Sequence, residues 1–152
     1  MKTDVGFLSL VLTILMGVAG GAAIGLQGPL ASVMSQKVGP VESSFFIHLG
    51  GGILSTLVLL VGFQSGNLGM WRSVPWYALA AGVLGVVVIV SVSYTIPRIG
   101  IAAAVTLLVA AQLSTGVLLD QFGWLGNVVQ PLDPPRFAGL GLLFTGTWLL
   151  VR

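Results

Sequence analysis

The stretch Val5–Gln36, VGFLSLVLTILMGVAGGAAIGLQGPLASVMSQ, contains no Asp, Glu, Lys or Arg. A helix needs about 20 apolar residues to cross the hydrocarbon core of a bilayer, and this run exceeds that. Similar runs follow at Ser43–Trp71, Ser73–Pro97, Ile99–Leu119 and Phe137–Val151. Apolar residues make up 56% of the chain and charged residues 7%, with a mean hydropathy of +1.07. Soluble domains carry about 25% charged residues. Open backbone cannot stay unpaired in lipid, and runs this uniform lack the alternation of barrel strands. The chain therefore reads as all-α, a polytopic membrane protein.

Five transmembrane helices are expected in one domain over residues 1–152, spanning about 5–36, 41–63, 76–95, 101–120 and 135–151. Gly28-Pro29 should kink the first. Gly39-Pro40 makes the first turn, and Pro97-Arg98-Ile99-Gly100 a tight connection. Trp71, Trp76 and Tyr77 suit the membrane interface. The first run is too long for a secretory leader, and four more follow it.

Charge placement bears on orientation. Threaded as five spans, Lys2, Arg72 and Arg136 share the side of the N-terminus, and Lys37, Arg98 and Arg152 take the other, called side B here. Lys/Arg bias in short loops orients membrane proteins. A three-to-three split carries no bias, which permits insertion both ways up and an antiparallel homodimer. Stripes of small residues spaced by four mark close helix approach. Gly17, Gly21 and Gly25 form one; Ala102, Thr106, Ala110 and Ser114 form the other. Each reads as bundle packing or as a dimer face, and the second stripe is the favoured dimer face.

Polar side chains are few within the spans. Gln27, His48, Ser91, Tyr94 and Thr106 fall at roughly 3–14 Å below side B, at 1.5 Å per residue. Gln112 reaches past the midplane. One chain then resembles half of an inverted-repeat transporter, whose site lies at the repeat interface. Gln27, His48, Tyr94 and Gln112 are the candidates for binding substrate. His48 and Glu42 are the candidates for proton coupling, because imidazole titrates between pH 5 and 8 and no other acid lies in that half. Blander readings stand beside these. His48 can hydrogen-bond across a helix interface, and Glu42 can favour the start of a helix through its dipole. Gln27 can support the kink, Tyr94 can belong to the aromatic belt, and Asp120 can order the loop that follows it.

One histidine and four acids, none paired on a face, build neither a hydrolase triad nor a metal site. No enzyme activity, cofactor or metal is expected. The net charge of +2 is too small and scattered to attract nucleic acid. Cysteine is absent, which excludes thiolate metal sites.

Ile96-Pro97-Arg98-Ile99-Gly100, then Gln112, then Leu119-Asp120-Gln121-Phe122-Gly123-Trp124 resemble the second half of the YdcZ-like family. Gln27, Gly39, Pro131, Arg136 and the closing Leu150-Val151-Arg152 fit as well. That family consists of small five-span bacterial proteins of the drug/metabolite transporter superfamily. The resemblance implies a multi-pass protein of the bacterial plasma membrane, often of dual topology, that transports a small molecule. Where the family commonly has Asn four residues after the first-span Gln, this chain has Ala31. Glu42 and His48 lie outside the family pattern, so no family role carries onto them. The expected function is secondary transport of a small organic solute or cation by alternating access in an antiparallel dimer. The alternative is a structural or accessory membrane subunit that pairs with another membrane protein.

Overall fold

The computed structural model describes residues 6–62, 66–126 and 128–152. Lys2, the expected helix start at Val5, the expected helix end at Phe63, and Gln64-Ser65 lie outside the described residues. Among those described, every regular element is helical: α1 (Phe7–Val38), α2 (Pro40–Leu60), α3 (Trp76–Leu79), α4 (Ala81–Ile99), α5 (Ile101–Phe122) and α6 (Pro134–Val151). Short 3-10 turns occur at Leu68–Ser73 and Trp124–Gly126.

Among the described residues, four stretches are long and apolar enough to cross a membrane: α1, α2, α3 together with α4, and α5. Of the five expected spans, length and composition support these four. The 18 residues of α6 reach only about 27 Å at 1.5 Å per residue, against a core of about 30 Å. Its first turn is also occupied by Pro134, Pro135 and Arg136.

Two glycines set the turns. Gly39 (φ 102°, ψ 154°) and Gly100 (φ 84°, ψ 166°) cap the starts of α2 and α5 in a backbone region that is essentially glycine-only. Pro40 then opens α2, where its missing N–H costs nothing. The connection expected at Pro97 is narrower than its sequence suggests. Helix α4 continues through Pro97 to Ile99, because the fixed φ of proline suits a helix; what is lost is the N–H that would serve the Ser93 carbonyl. The third expected span is also stepped. At Ala80 the amide bonds back three residues to Tyr77, and Val83 does the same to Ala80, so α3 passes into α4 through a tightened turn.

The chain divides into two compact units, one reaching Ser93 and one over Tyr94–Arg152. In the first, α1 packs on α2; in the second, α5 packs on α6. The buried residues of α1 and α2 are small: Gly28, Ala31 and Ser32 on α1, and Ser43 and Ser44 on α2. Lipid is as apolar as leucine, so close backbone approach, rather than leucine burial, holds such helices together. The rest of α1 is open, with Phe7, Leu12, Met16 and Leu26 exposed.

Ala110, on the favoured stripe, is 1% exposed, so the chain already covers it. Gly17 and Gly21 are exposed, and a Cβ built on either meets nothing within 4 Å. On the same stripe as Ala110, Ala102 is exposed and Thr106 and Ser114 are half-buried.

Candidate functional site

The first unit gathers its polar groups at the α1–α2 turn. Glu42 sits in the first turn of α2, and its carboxylate folds back over Gly39. A negative group there is favoured by the helix dipole. One residue on, Ser43 Oγ donates to the Ala31 carbonyl of α1 at 3.1 Å and ties the two helices. Ser44 and His48 share a helix face one turn apart. His48 Nδ1 lies 2.7 Å from the Ser44 carbonyl and 3.3 Å from Ser44 Oγ. A carbonyl only accepts, so Nδ1 carries the hydrogen, and in the neutral ring Nε2 holds the free lone pair.

His48 Nε2 is directed at α4. A Cβ built on Gly85 would sit 2.6 Å from it, so the glycine supplies the space the ring uses. Beside this contact is a groove of about 360 Å³ lined by Val41, Ser44, Phe45, His48, Leu49 and Val86. Its walls are aliphatic and aromatic apart from Ser44 and His48.

Gln27 lines a different groove, of about 420 Å³, along α1 and α2 with Leu30, Ala31, Phe46 and Gly50 among its neighbours. Gln27 and His48 therefore border separate grooves on α2. Tyr94 and Gln112 belong to the second unit, and both are exposed. The Arg98 guanidinium lies 3.4 Å from the centre of the Tyr94 ring and donates to the Tyr94 carbonyl at 2.5 Å. Arg152 lies over Trp148 in the same way, at 3.7 Å. An arginine folded onto an aromatic at a helix end suits a membrane interface.

In the second unit, the motif Asp120–Trp124 organises the loop to α6. Gly123 ends α5 in the left-handed region (φ 61°, ψ 30°), and Phe122 stacks on Trp124 at 5.3 Å. The Asp120 carbonyl accepts from the Gln130 amide at 2.9 Å, and Gln121 Oε1 accepts from the Leu132 amide at 2.6 Å. Arg136 reaches back to Asp120 at 3.7 Å and donates to the backbone carbonyl and side chain of Gln130. Asp133 caps α6 through the Arg136 amide at 2.9 Å. Asp120 thus orders the loop. The ion pair itself is about one-third exposed on both sides, so it contributes little alone, and the set of hydrogen bonds carries the order.

Sequence reasoning passed over the buried serines Ser32, Ser43 and Ser93. Serine barely disturbs an apolar run, so hydropathy does not mark it. The signal available was position: Ser32 follows Pro29 by three residues, and Ser93 precedes Pro97 by four. Among the described residues, no group of three or more His, Cys, Asp or Glu is placed to hold a metal ion.

The family model described as "Putative inner membrane exporter, YdcZ" matches residues 12–149. The inner membrane protein YdcZ of Escherichia coli (strain K12) is 28% identical over 144 residues, covering 93% of this chain and 95% of that protein. No solved structure matches the chain. A chain of long apolar helices matched from the first span to the last helix is a multi-pass protein of the bacterial inner membrane, and it belongs to the YdcZ family.

Proposed function

We propose that the protein is a secondary transporter that moves a small organic solute or cation out across the inner membrane. The observation that carries the reading is the match of residues 12–149 to a family described as an inner membrane exporter. In this reading α6 completes a fifth span, and two chains of opposite orientation form the working unit by alternating access. The placement of the basic residues supports it. Lys37 and Arg98 lie in last turns, Arg152 ends α6, Arg136 begins it, and Arg72 sits in the 3-10 turn after α2. None of these basic groups interrupts an apolar span. The open glycine stripe of α1 is the proposed dimer face.

Gln27, His48, Tyr94 and Gln112 are proposed to line the path, with His48 or Glu42 coupling a proton. For His48 the support is the groove that its ring borders with Ser44. A thermal-shift screen of organic cations and neutral polar solutes on purified protein, followed by flux in proteoliposomes, tests the transport reading. His48→Gln keeps a hydrogen-bonding group and removes the imidazole. It is expected to transport the identified solute with a flattened pH profile. An unaltered profile would make the histidine a packing residue against Gly85. A screen and flux assay that find no solute would favour the accessory-subunit alternative.

A further inference from the structure

Among the described residues, two buried side-chain oxygens have no hydrogen-bond partner, Ser32 Oγ and Ser93 Oγ. Several helical hydroxyls in this chain settle on the carbonyl four residues back. Thr13, Thr56, Thr106 and Ser114 do so at 2.7–2.8 Å. Ser93 does not take that option, although Ile89 offers the carbonyl. Its second oxygen is unusual as well. The helical donor to the Ser93 carbonyl would be the amide of residue 97, and Pro97 has none.

Ser93 is 4% exposed and lies on a buried face of α4 with Ile89, Val92 and Ile96. Those neighbours are aliphatic. Six residues separate it from the end of α4 at Ile99, about 9 Å at 1.5 Å per residue, which is within the membrane. A buried hydroxyl without a partner is destabilising, and alanine would fill the same place without that cost. Sites that break a local rule in this way are where function is expected. One residue here presents two oxygens, a hydroxyl with no partner and a carbonyl without its helical donor.

We propose that Ser93 contacts the transported solute, and that the group it receives is a nitrogen bearing at least two hydrogens, a primary amine or a carboxamide. The proposal rests on the transport reading and adds the substrate class. Two acceptors on one residue suit a donor that can give two hydrogen bonds. The low exposure of Ser93 agrees with one occluded state of an alternating-access cycle.

The chain has no cysteine, so Ser93→Cys introduces a unique thiol of similar size. Purified Ser93→Cys protein is treated with methyl methanethiosulfonate, alone and with ethylammonium, acetamide or tetraethylammonium. The thiol is expected to react in the folded protein and to be slowed severalfold by ethylammonium or acetamide. Tetraethylammonium has no N–H and is expected not to protect. A thiol that reacts only after unfolding, or at a rate no probe changes, overturns the proposal. So does a rate that rises only as the protein is diluted into monomers, which would assign the hydroxyl to a second copy. A companion variant, Ser93→Ala, is expected to melt a few degrees higher than the wild type and to lose the thermal shift given by the protecting probe. If it melts lower, the hydroxyl is structural and the proposal fails. Flux of ethylammonium and acetamide in proteoliposomes separates the two readings. Flux with an inert thiol sinks Ser93 and leaves transport standing; protection without flux keeps the binding site and sinks transport.

Discussion

Gly39→Ala is expected to destabilise the chain by about 1–3 kcal/mol, because φ 102° with ψ 154° is a conformation that residues with a Cβ scarcely adopt. A second effect adds to it. The new methyl would occupy the place where the Glu42 carboxylate folds over the turn. Glu42 can swing away, since it is exposed; the backbone cannot change without moving α2 relative to α1. Thermal unfolding of the single variants and of Gly39→Ala with Glu42→Ala separates the two causes. If the double variant recovers wild-type stability, the carboxylate is the obstacle and the backbone argument fails. A persistent loss places the cost in the turn. Gly100, at φ 84° with no atom crowding its Cβ position, isolates the backbone effect alone.

Substitution of Gly85 by alanine is the second large effect. The added carbon would lie 2.6 Å from His48 Nε2, closer than non-bonded atoms approach. An unrestrained side-chain tip would turn aside at little cost. This one is held from behind by the 2.7 Å bond between Nδ1 and the Ser44 carbonyl. Either the ring leaves that bond or α4 moves, and overpacking of this kind costs about 1–3 kcal/mol. His48→Ala in the same chain removes the obstacle, so the pair should be strongly non-additive in a double-mutant cycle. Additive losses would mean that the ring is not seated on Gly85.

The helices were legible because lipid leaves the backbone little choice: a long uncharged run such as the one that forms α1 has to be helical. The turn at Gly39 was legible too, since glycine followed by proline is a strong local stop. Pro97 misled because a rule from soluble helices makes proline a terminator, whereas α4 carries it and breaks one turn later at Gly100. The dimer face was not legible, because spacing identifies a small-residue face without saying what covers it. Both stripes have the same pattern, yet Ala110 is buried and Gly21 is open. The polar sites were only partly legible for the same reason. Periodicity places His48 beside Ser44, but its seat on Gly85 joins residues far apart in the chain. Ser93 carries no charge and little polarity in a hydropathy profile, and its exceptional feature, a hydroxyl with no partner, exists only in three dimensions.

In the proposed transporter, two chains of opposite orientation each cross the membrane five times. Cysteine labelling of a double variant tests this arrangement. A chain carrying Gly66→Cys and a cysteine appended after Arg152 leaves the Lys/Arg balance unchanged. Spheroplasts expressing it are treated with a membrane-impermeant maleimide of resolvable mass. Five spans put the two thiols on opposite faces, so nearly every chain should gain one tag, with the tags divided between the two positions. Chains that carry two tags or none would show that α6 does not cross. One tag per chain, always at the same cysteine, would show a single orientation and contradict the antiparallel dimer.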